Sequence, residues 1–278
     1  MLIGFSPSPS WPLLPTGMAS FSNSPLEVAA EVIGALQDDL NALKTCSLTC
    51  RSLLPLCRPF IFRSILLGPL SFTPRRHGLP RRIKLFGRLL DSNPSISDHV
   101  QNLMYQTQYE DLNDEDVPRI LTQFRRLRSF DLAGGNVVWD ALPPPLRESL
   151  LHIIRLPSIT FLQISYFKVF PIALFSLCLN LTTLVLIQVG DDSIVEYRQE
   201  NPILNEVPQL SSFTFGVLVG RYTGKLVGAN RSNGLPVLDF RNVRSLSVNV
   251  DQDSDLPAVH ALLQATDKLE SLEYIGVS

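Results

Sequence analysis

Apolar residues recur at helical spacing in an N-terminal stretch that runs from residue 24 to residue 65. Val28, Val32 and Leu36 follow one another at intervals of one helical turn, and Ile33 lies beside them. A stripe of this kind is typical of an amphipathic helix that buries one side. The pattern predicts a first helix near the start of this stretch.

Two acidic residues, Asp38 and Asp39, end that helix and begin a second one. The second helix continues the apolar stripe with Leu40, Leu43 and Leu48. Aspartate is a favoured residue immediately before a helix because its carboxylate accepts hydrogen bonds from free backbone N–H groups. We therefore expect two short helices joined by a tight turn.

A third helix is predicted to begin near Ser47 or Thr49, with Pro55 and Pro59 limiting its length. The following apolar residues predict a strand or turn that closes the module: Phe60, Phe62 and Ile65. Three helices this short bury little apolar surface among themselves. We expect apolar side chains to remain exposed for a partner.

From residue 100 onward the pattern changes to apolar, two variable, apolar, one variable, apolar. The last two apolar positions alternate as in a strand with one buried face, and helical stretches such as 117–124, 146–156 and 256–266 lie between units. The units follow one another at intervals of 22 to 33 residues. The seven units are Val100-Leu103-Tyr105, Leu127-Phe130-Leu132, Ile159-Leu162-Ile164, Leu181-Leu184-Leu186, Leu210-Phe213-Phe215, Val243-Leu246-Val248 and Leu269-Leu272-Tyr274.

Strands that alternate with helical crossovers predict an α/β fold with a parallel sheet. The unit length also resembles degenerate leucine-rich repeats, which implies an irregular α/β solenoid. The units lack the Asn or Cys that usually follows the strand in that family. Another α/β fold with a parallel sheet is the alternative.

In a solenoid the variable strand positions form a concave face that could hold a target protein. Most of these positions are small and neutral, which favours shape and hydrogen bonding over charge. The candidate target-binding residues are Ser129, Asp131, Phe161, Gln163, Thr183, Val185, Ser212, Thr214, Ser245 and Ser247, with Ser271 and Glu273 at the end of the series. Phe161, Val185 and Ile187 form the apolar hot-spot candidate.

Composition limits the classes of function. The 278 residues are 45% hydrophobic and 18% charged, and the net charge is −2. These values are typical of a folded protein and give no general electrostatic reason to bind nucleic acid or an acidic membrane. A basic cluster made of Arg75, Arg76, Arg81, Arg82 and Lys84 is interpreted as a solvated surface turn, with a nuclear import signal or a nucleic-acid contact as the alternatives.

The four cysteines are Cys46, Cys50, Cys57 and Cys178. Three of them lie within the predicted helices, which indicates free thiols in a reducing compartment and not a disulfide framework. The N-terminal residues 1–23 contain prolines that break a signal-peptide helix, so we expect a disordered leader. These features predict a cytoplasmic or nuclear protein without a membrane span.

The sequence carries no recognisable catalytic or metal-binding motif. Cys46 and Cys50 could point from one helix at zinc, but no histidine or second cysteine pair accompanies them. The segment 220–226, GRYTGKL, differs from a phosphate loop in its spacing and reads as a turn-rich insertion. We therefore expect no enzyme activity, no cofactor and no metal.

Residues 24–65 resemble the F-box, in the variant widespread in fungal proteins. The matching positions are Pro25, Glu27, Ile33, Leu36, Asp38, Asp39, Ala42, Leu43, Lys44, Cys46, Ser47, Leu48, Cys50, Arg51, Ser52, Pro55, Arg58, Phe62, Arg63, Ser64 and Ile65. Two positions depart from the pattern: Ser24 replaces the usual leucine and Leu53 the usual tryptophan.

The F-box resemblance implies binding to the Skp adaptor and, through it, to the cullin of a ubiquitin ligase. The adaptor contacts that it implies are Pro25, Leu26, Val28, Ile33, Leu36, Leu43, Cys50 and Leu54. About half of these residues are equally well explained as the core of the module itself, because a helix stripe must pack against something.

Together these patterns predict a leader over 1–23, an F-box-like helical module over 24–67, a linking helix and turn over 68–98, and a repeat array over 99–278 without a C-terminal cap. The function they imply is a substrate-recognition subunit of a Skp–cullin–F-box ubiquitin ligase. The alternatives are an interaction scaffold with a drifted F-box and no role in ubiquitination, and an enzyme on an α/β scaffold.

Overall fold

Strands with alternating burial build the larger part of the protein. A computed structural model describes residues 26–68, 82–190, 206–216, 219–250 and 253–276. Over these residues the chain is an α/β protein with eight strands in one all-parallel sheet, and each strand lies beside its neighbours in sequence. The strands are β1 (Ser64–Leu67), β2 (Asn102–Gln106), β3 (Ser129–Val138), β4 (Phe161–Val169), β5 (Thr183–Val189), β6 (Ser212–Phe215), β7 (Ser245–Val250) and β8 (Ser271–Gly276).

Helices lie between most of the strands and in the N-terminal region. Parallel neighbours need a crossover connection, which a helix commonly provides. The α-helices of the described residues are α1 (Leu26–Ala35), α2 (Leu40–Thr49), α3 (Leu54–Ile61), α4 (Arg82–Ser92), α5 (Asp116–Leu121), α6 (Pro144–Ile154), α7 (Gly220–Val227) and α8 (Leu256–Ala265). Short 3₁₀ helices cover Pro94–His99, Tyr109–Asn113, Trp139–Ala141, Ile172–Leu177 and Asp253–Asp255.

The chain divides into two compact units between Ile61 and Phe62. We call residues 26–61 the helical unit and the described residues from 62 onward the sheet unit. The division expected from the sequence lies at residue 67. The difference arises because Ser64–Leu67 pairs with β2 and so belongs to the sheet.

The core of the sheet unit lies between one face of the strands and the helices. One inward position of each strand from β2 to β7 is almost fully buried, and apolar residues of α4 to α8 such as Leu90, Ile120, Leu150, Leu226 and Leu262 join the same cluster. The inward residues are Leu103, Phe130, Leu162, Leu184, Phe213 and Leu246. The alternation inferred from the sequence therefore matches the buried side of the strands β2 to β7, whereas the corresponding residues of β8, Leu272 and Tyr274, are exposed.

The predicted linker of residues 68–98 is only partly described, since 69–81 lie outside the described residues. Within it, α4 buries Ile83, Phe86 and Leu90 in the core of the sheet unit. Phe86 stacks on Phe124, with ring centroids 5.9 Å apart. This helix is therefore a structural part of the sheet unit and not a spacer.

Three local expectations were wrong. The third helix begins at Leu54, because Cys50 adopts an extended conformation and ends α2. Phe60 lies in α3 and not in a closing strand. The segment Gly220–Val227 is a helix and not a turn-rich insertion, since its apolar residues Tyr222 and Leu226 lie on one side and are buried.

Candidate interaction surfaces

The helical unit has a small core formed where its three helices meet. Ile33 from α1, Leu43 from α2 and Cys57 from α3 are buried together. Partly buried apolar residues surround them: Leu36, Cys46, Leu53, Leu56, Phe60 and Ile61. Burial of the Cys57 thiol raises its pKa, which keeps it protonated as a small apolar core residue.

Asp39 determines where α2 begins. Its carboxylate accepts hydrogen bonds from the backbone N–H groups of Asn41 (3.1 Å) and Ala42 (2.9 Å). These groups have no partner inside a helix, so the cap stabilises the helix start by about 1 kcal/mol. The turn between α1 and α2 thereby holds the two apolar stripes in their relative positions.

The helical unit leaves several large apolar side chains exposed. On α1 these are Leu26, Val28 and Val32, and on α2 they are Leu40 and Leu48. Val28 and Val32 are one turn apart, and Leu48 is the most exposed of the five, at 87%. Five exposed apolar side chains in two ten-residue helices make these helices a candidate contact surface.

The structure separates the predicted adaptor contacts into two groups. Leu26 and Val28 are exposed, whereas Ile33 and Leu43 are buried and form the core of the unit. The remaining described contacts are partly buried: Leu36, Cys50 and Leu54. Pro25 lies outside the described residues. Because Ile33 and Leu43 are buried, they expose no surface that a partner could contact. These two residues therefore belong to the core of the module, which was the alternative explanation of the apolar stripe.

Val32, Leu40 and Leu48 are exposed but are not among the contacts expected from the sequence. The signal was present, because all three are large apolar residues in short amphipathic helices. The pattern alone could not tell which side of the stripe packs inward. That choice depends on how the three helices meet.

Cys50 lies in the turn between α2 and α3. Its Sγ is 2.8 Å from Ser52 Oγ, and this hydrogen bond lowers the pKa of the Cys50 thiol. In the parts of the chain that the structure covers, no three His, Cys, Asp or Glu residues come together in a way that could hold a metal ion.

The predicted target-binding residues lie on the face of the sheet opposite the buried rows. Strand register aligns them in two rows that cross all eight described strands. The first row is Ser64, Asn102, Ser129, Phe161, Thr183, Ser212, Ser245 and Ser271. The second row is Leu66, Met104, Asp131, Gln163, Val185, Thr214, Ser247 and Glu273. Neighbouring strands are about 4.8 Å apart, so each row forms a continuous ladder of side chains.

The two rows differ in chemistry from one end of the sheet to the other. The strands β2 to β5 present larger residues, including Met104, Phe161 and Val185, and the strands β6 to β8 present mainly hydroxyl groups. Ser247 donates a hydrogen bond to Glu273 Oε2 at 3.0 Å, which holds that carboxylate against its own sheet. The face therefore combines a half of mixed apolar and polar side chains with a half that presents mainly hydroxyl groups.

Asp131 is the acidic residue in the middle of the second row. Burial raises the pKa of its carboxyl to about 6, and a hydrogen bond from Gln163 opposes the rise. Its row neighbours, Met104 and Gln163, carry no charge to compensate it. A carboxylate desolvated in this way would gain from a basic or N–H-donating group on a bound partner.

Three adjacent strands each contain a residue with a left-handed backbone conformation. Asn136 on β3, Tyr166 on β4 and Gln188 on β5 have φ angles of 68°, 56° and 50°. Register places Tyr166 beside Gln188, because the residues on either side of them pair. Such conformations cost about 1–3 kcal/mol each for residues other than glycine and persist where the surrounding structure holds them.

No protein-family model matches this chain, and no curated protein matches it in a sequence search. Within the residues that the structure describes, no helix has the length and apolar character needed to cross a membrane.

Proposed function

We propose that the protein is a substrate-recognition subunit of a ubiquitin ligase of the Skp–cullin–F-box type. The proposal rests on one observation. Residues 24–65, whose sequence resembles an F-box, contain a three-helix unit with exposed apolar side chains. An isolated surface of this kind is stabilised when a partner covers it.

The adaptor contact that we propose centres on the exposed side chains of α1 and α2. The F-box resemblance implies Leu26 and Val28 as adaptor contacts. We add Val32, Leu40 and Leu48 because their side chains are exposed. Ile33 and Leu43 support this surface from beneath, since both lie in the core of the unit.

The target contact that we propose lies on the two rows of the sheet unit. A parallel sheet whose strands follow chain order supports an array of leucine-rich-repeat-like units, each adding one strand. Phe161 and Val185 would supply the apolar anchor, and Asp131 the polar contact.

The mechanism is proximity and requires no catalytic residue of this chain. One unit holds the adaptor and the other holds the target, so a target lysine is kept near the ubiquitin-charged enzyme of the ligase. Tethering of this kind raises the effective concentration of the two reacting groups.

Adaptor binding tests the proposal. The full-length chain should bind a purified Skp adaptor in a pull-down or by calorimetry, and the double variant Val28→Asp, Val32→Asp should lose binding because two charges would face the apolar partner surface. Leu85→Asp in α4 is the matched control, since Leu85 and Val28 are equally exposed at 47%. The control should bind as the wild type does.

A folded wild-type chain that does not bind the adaptor would contradict the proposal. The scaffold with a drifted F-box would then be favoured. One observation supports that second candidate: Leu53, which stands where the family usually has tryptophan, packs against the core of the helical unit. A smaller residue at this position provides less apolar surface than tryptophan would.

A further inference from the structure

Asp131 carries a negative charge on the outward face of the sheet unit. It lies on β3 between Met104 and Gln163 in the second row, and both neighbours are uncharged. Within the described residues no cationic side chain pairs with it. Burial raises the pKa of its carboxyl to about 6, so at pH 7.5 the group is ionised but poorly solvated. A cation supplied by another molecule would stabilise this carboxylate.

The described residues around Asp131 on this face include no basic side chain. The two rows hold one more acidic residue, Glu273, whose carboxylate accepts a hydrogen bond from Ser247 at 3.0 Å. The next outward positions of β2 to β5 are uncharged: Gln106, Ala133, Ser165 and Ile187. Among the described residues, this part of the face is therefore acidic at Asp131 and neutral around it.

Phe161 places an aromatic ring near this carboxylate. It pairs with Ser129 on β3, two residues before Asp131, so Phe161 and Asp131 lie on adjacent strands. A rise of about 3.3 Å per residue and a strand spacing of about 4.8 Å separate their backbone positions by about 8 Å. The row neighbours of Phe161, Ser129 and Thr183, are small, and Phe161 is partly exposed. A ring and a carboxylate at this separation can contact one guanidinium group together.

We propose that the target protein binds this face through an arginine side chain, whose guanidinium pairs with Asp131 and stacks on the ring of Phe161. Arginine suits both contacts, because its planar group donates two parallel hydrogen bonds to a carboxylate and lies flat on an aromatic ring. Gln163 donates one hydrogen bond to Asp131, and a carboxylate has further acceptor positions for the arginine. This inference rests on the proposed function, in which this face holds the target.

An arginine-bearing segment fits the charge of this face better than other occupants do. An acidic or phosphorylated segment would meet Asp131 as a like charge, and the described face has no basic residue to compensate it. A wholly apolar segment would cover the carboxylate and leave it without a partner, which is unfavourable. Lysine would supply the charge, but its ammonium group is strongly hydrated and lacks the planar shape of the guanidinium.

Synthetic peptide pools test the proposal with the full-length protein. The peptides of every pool have the same length and are randomised except at the central residue, which is arginine, lysine, citrulline or glutamate. Citrulline has the shape of arginine without its charge. We expect the immobilised wild-type protein to retain more of the arginine pool than of any other pool. A peptide selected from that pool then gives dissociation constants by fluorescence anisotropy.

Two variants separate the contributions of charge and ring. Asp131→Asn keeps the shape of the side chain without its charge, and it should raise the dissociation constant of the selected peptide by about tenfold or more. Phe161→Leu keeps an apolar side chain without the ring, and it should raise the dissociation constant by about threefold to tenfold.

The matched control is Asp140→Asn. It removes the same charge from an exposed residue that follows β3 and lies outside the two rows. This variant should bind the selected peptide as the wild type does. Circular dichroism confirms that each variant is folded, and if Phe161→Leu is not, Asp131→Asn carries the test.

Several results would overturn the arginine contact. These are equal retention of the arginine and citrulline pools, preference for the glutamate pool, no retention of any pool, and an affinity that Asp131→Asn leaves unchanged. The adaptor measurement on the same protein separates this inference from the proposed function. Adaptor binding without arginine preference would overturn the arginine contact alone. Arginine preference without adaptor binding would contradict the ligase role and support the arginine contact.

Discussion

Single residues on the strands determine how closely neighbouring segments approach. Gly134 on β3 is one such residue, because a Cβ built there would lie 2.6 Å from atoms of the Phe167 ring. Phe167 belongs to a group of packed aromatic rings that includes Trp139 and Phe170. The ring has no room to retreat, so a glycine is required at this point of the strand.

We therefore predict that Gly134→Ala lowers the free energy of unfolding of the sheet unit by about 1–3 kcal/mol, the range expected for overpacking. The matched control is Gly224→Ala in α7, where the nearest atom is at 3.8 Å. That variant should raise stability by about 1 kcal/mol, since alanine favours a helix more than glycine does. Urea unfolding followed by circular dichroism measures both, and equal effects would contradict the packing argument.

The carboxyl of Asp131 predicts how stability changes with pH. Its pKa in the folded protein is raised to about 6 by burial, above the value of about 3.9 for an unfolded chain. The folded state thus binds the proton more tightly than the unfolded state does. The contribution of this carboxyl to the free energy of unfolding is fully present below about pH 4 and is lost as the pH rises through 6.

Asp131→Asn should consequently be more stable than the wild type at pH 7.5, with the difference disappearing near pH 4. Asparagine is the conservative variant because it keeps the shape of the side chain and removes its charge. Unfolding midpoints measured from pH 4 to pH 8 would show the two curves converging at the acidic end. If the wild-type and Asp131→Asn curves stayed parallel over this pH range, the raised pKa of Asp131 would be contradicted.

At the scale of the elements, inward and outward side chains alternate along each strand, and this alternation decides which residues pack the sheet against the helices. Leu184 on β5 is fully buried, and the next residue, Val185, lies partly buried on the opposite face. The two residues are similar in size and share one strand. They offer a direct comparison of the two faces.

Leu184→Ala should lower the free energy of unfolding by about 2–5 kcal/mol, because it leaves a cavity in the core. Val185→Ala should cost less than about 1 kcal/mol, the span of strand preferences at partly buried positions. Thermal or urea unfolding of the two variants gives the comparison. Similar losses would mean that the outer face is itself packed against protein.

The spacing of apolar residues in the sequence was sufficient to locate many of the strands and helices. All seven predicted apolar units lie on or immediately before a strand, β2 to β8, and the helical stretches 117–124, 146–156 and 256–266 correspond to α5, α6 and α8. The first strand, Ser64–Leu67, lies where the sequence predicts a strand or turn that closes the helical module. The spacing of the repeat units is also present there, in Phe62, Ile65 and Leu67.

At the scale of the whole molecule, the proposed function requires two contacts on two units. If the adaptor binds the helical unit and the target binds the sheet face, a charge introduced at one site should leave the other contact unchanged. This separation distinguishes a recognition subunit from a protein whose binding surfaces act as one.

We predict that Val185→Lys reduces target binding and keeps adaptor binding, and that Val28→Asp, Val32→Asp does the reverse. Quantitative affinity capture with wild type and both variants, with the adaptor measured in the same samples, checks the prediction. Proteins lost with Val185→Lys and kept with the double variant are the expected targets. Loss of the same proteins, adaptor included, with both variants would contradict the two-site arrangement.

The sequence by itself determined the fold class and the positions of most elements. Period-2 and period-3.6 patterns of apolar residues depend on local geometry, so they can be recognised without knowledge of distant contacts. The same alternation identified the outward residues, such as Ser129 and Thr183, that the register later aligned in rows.

Tertiary structure alone decided which apolar residues are core and which are surface. Ile33 and Val32 are neighbours in one helical stripe, and only the packing of α1 against α2 and α3 buries the first and exposes the second. In the same way Leu246 and Leu272 occupy equivalent positions in their units but differ in burial, and among the described residues β7 has a neighbouring strand on both sides and β8 on one. Burial is a property of what surrounds a residue, and sequence spacing does not contain it.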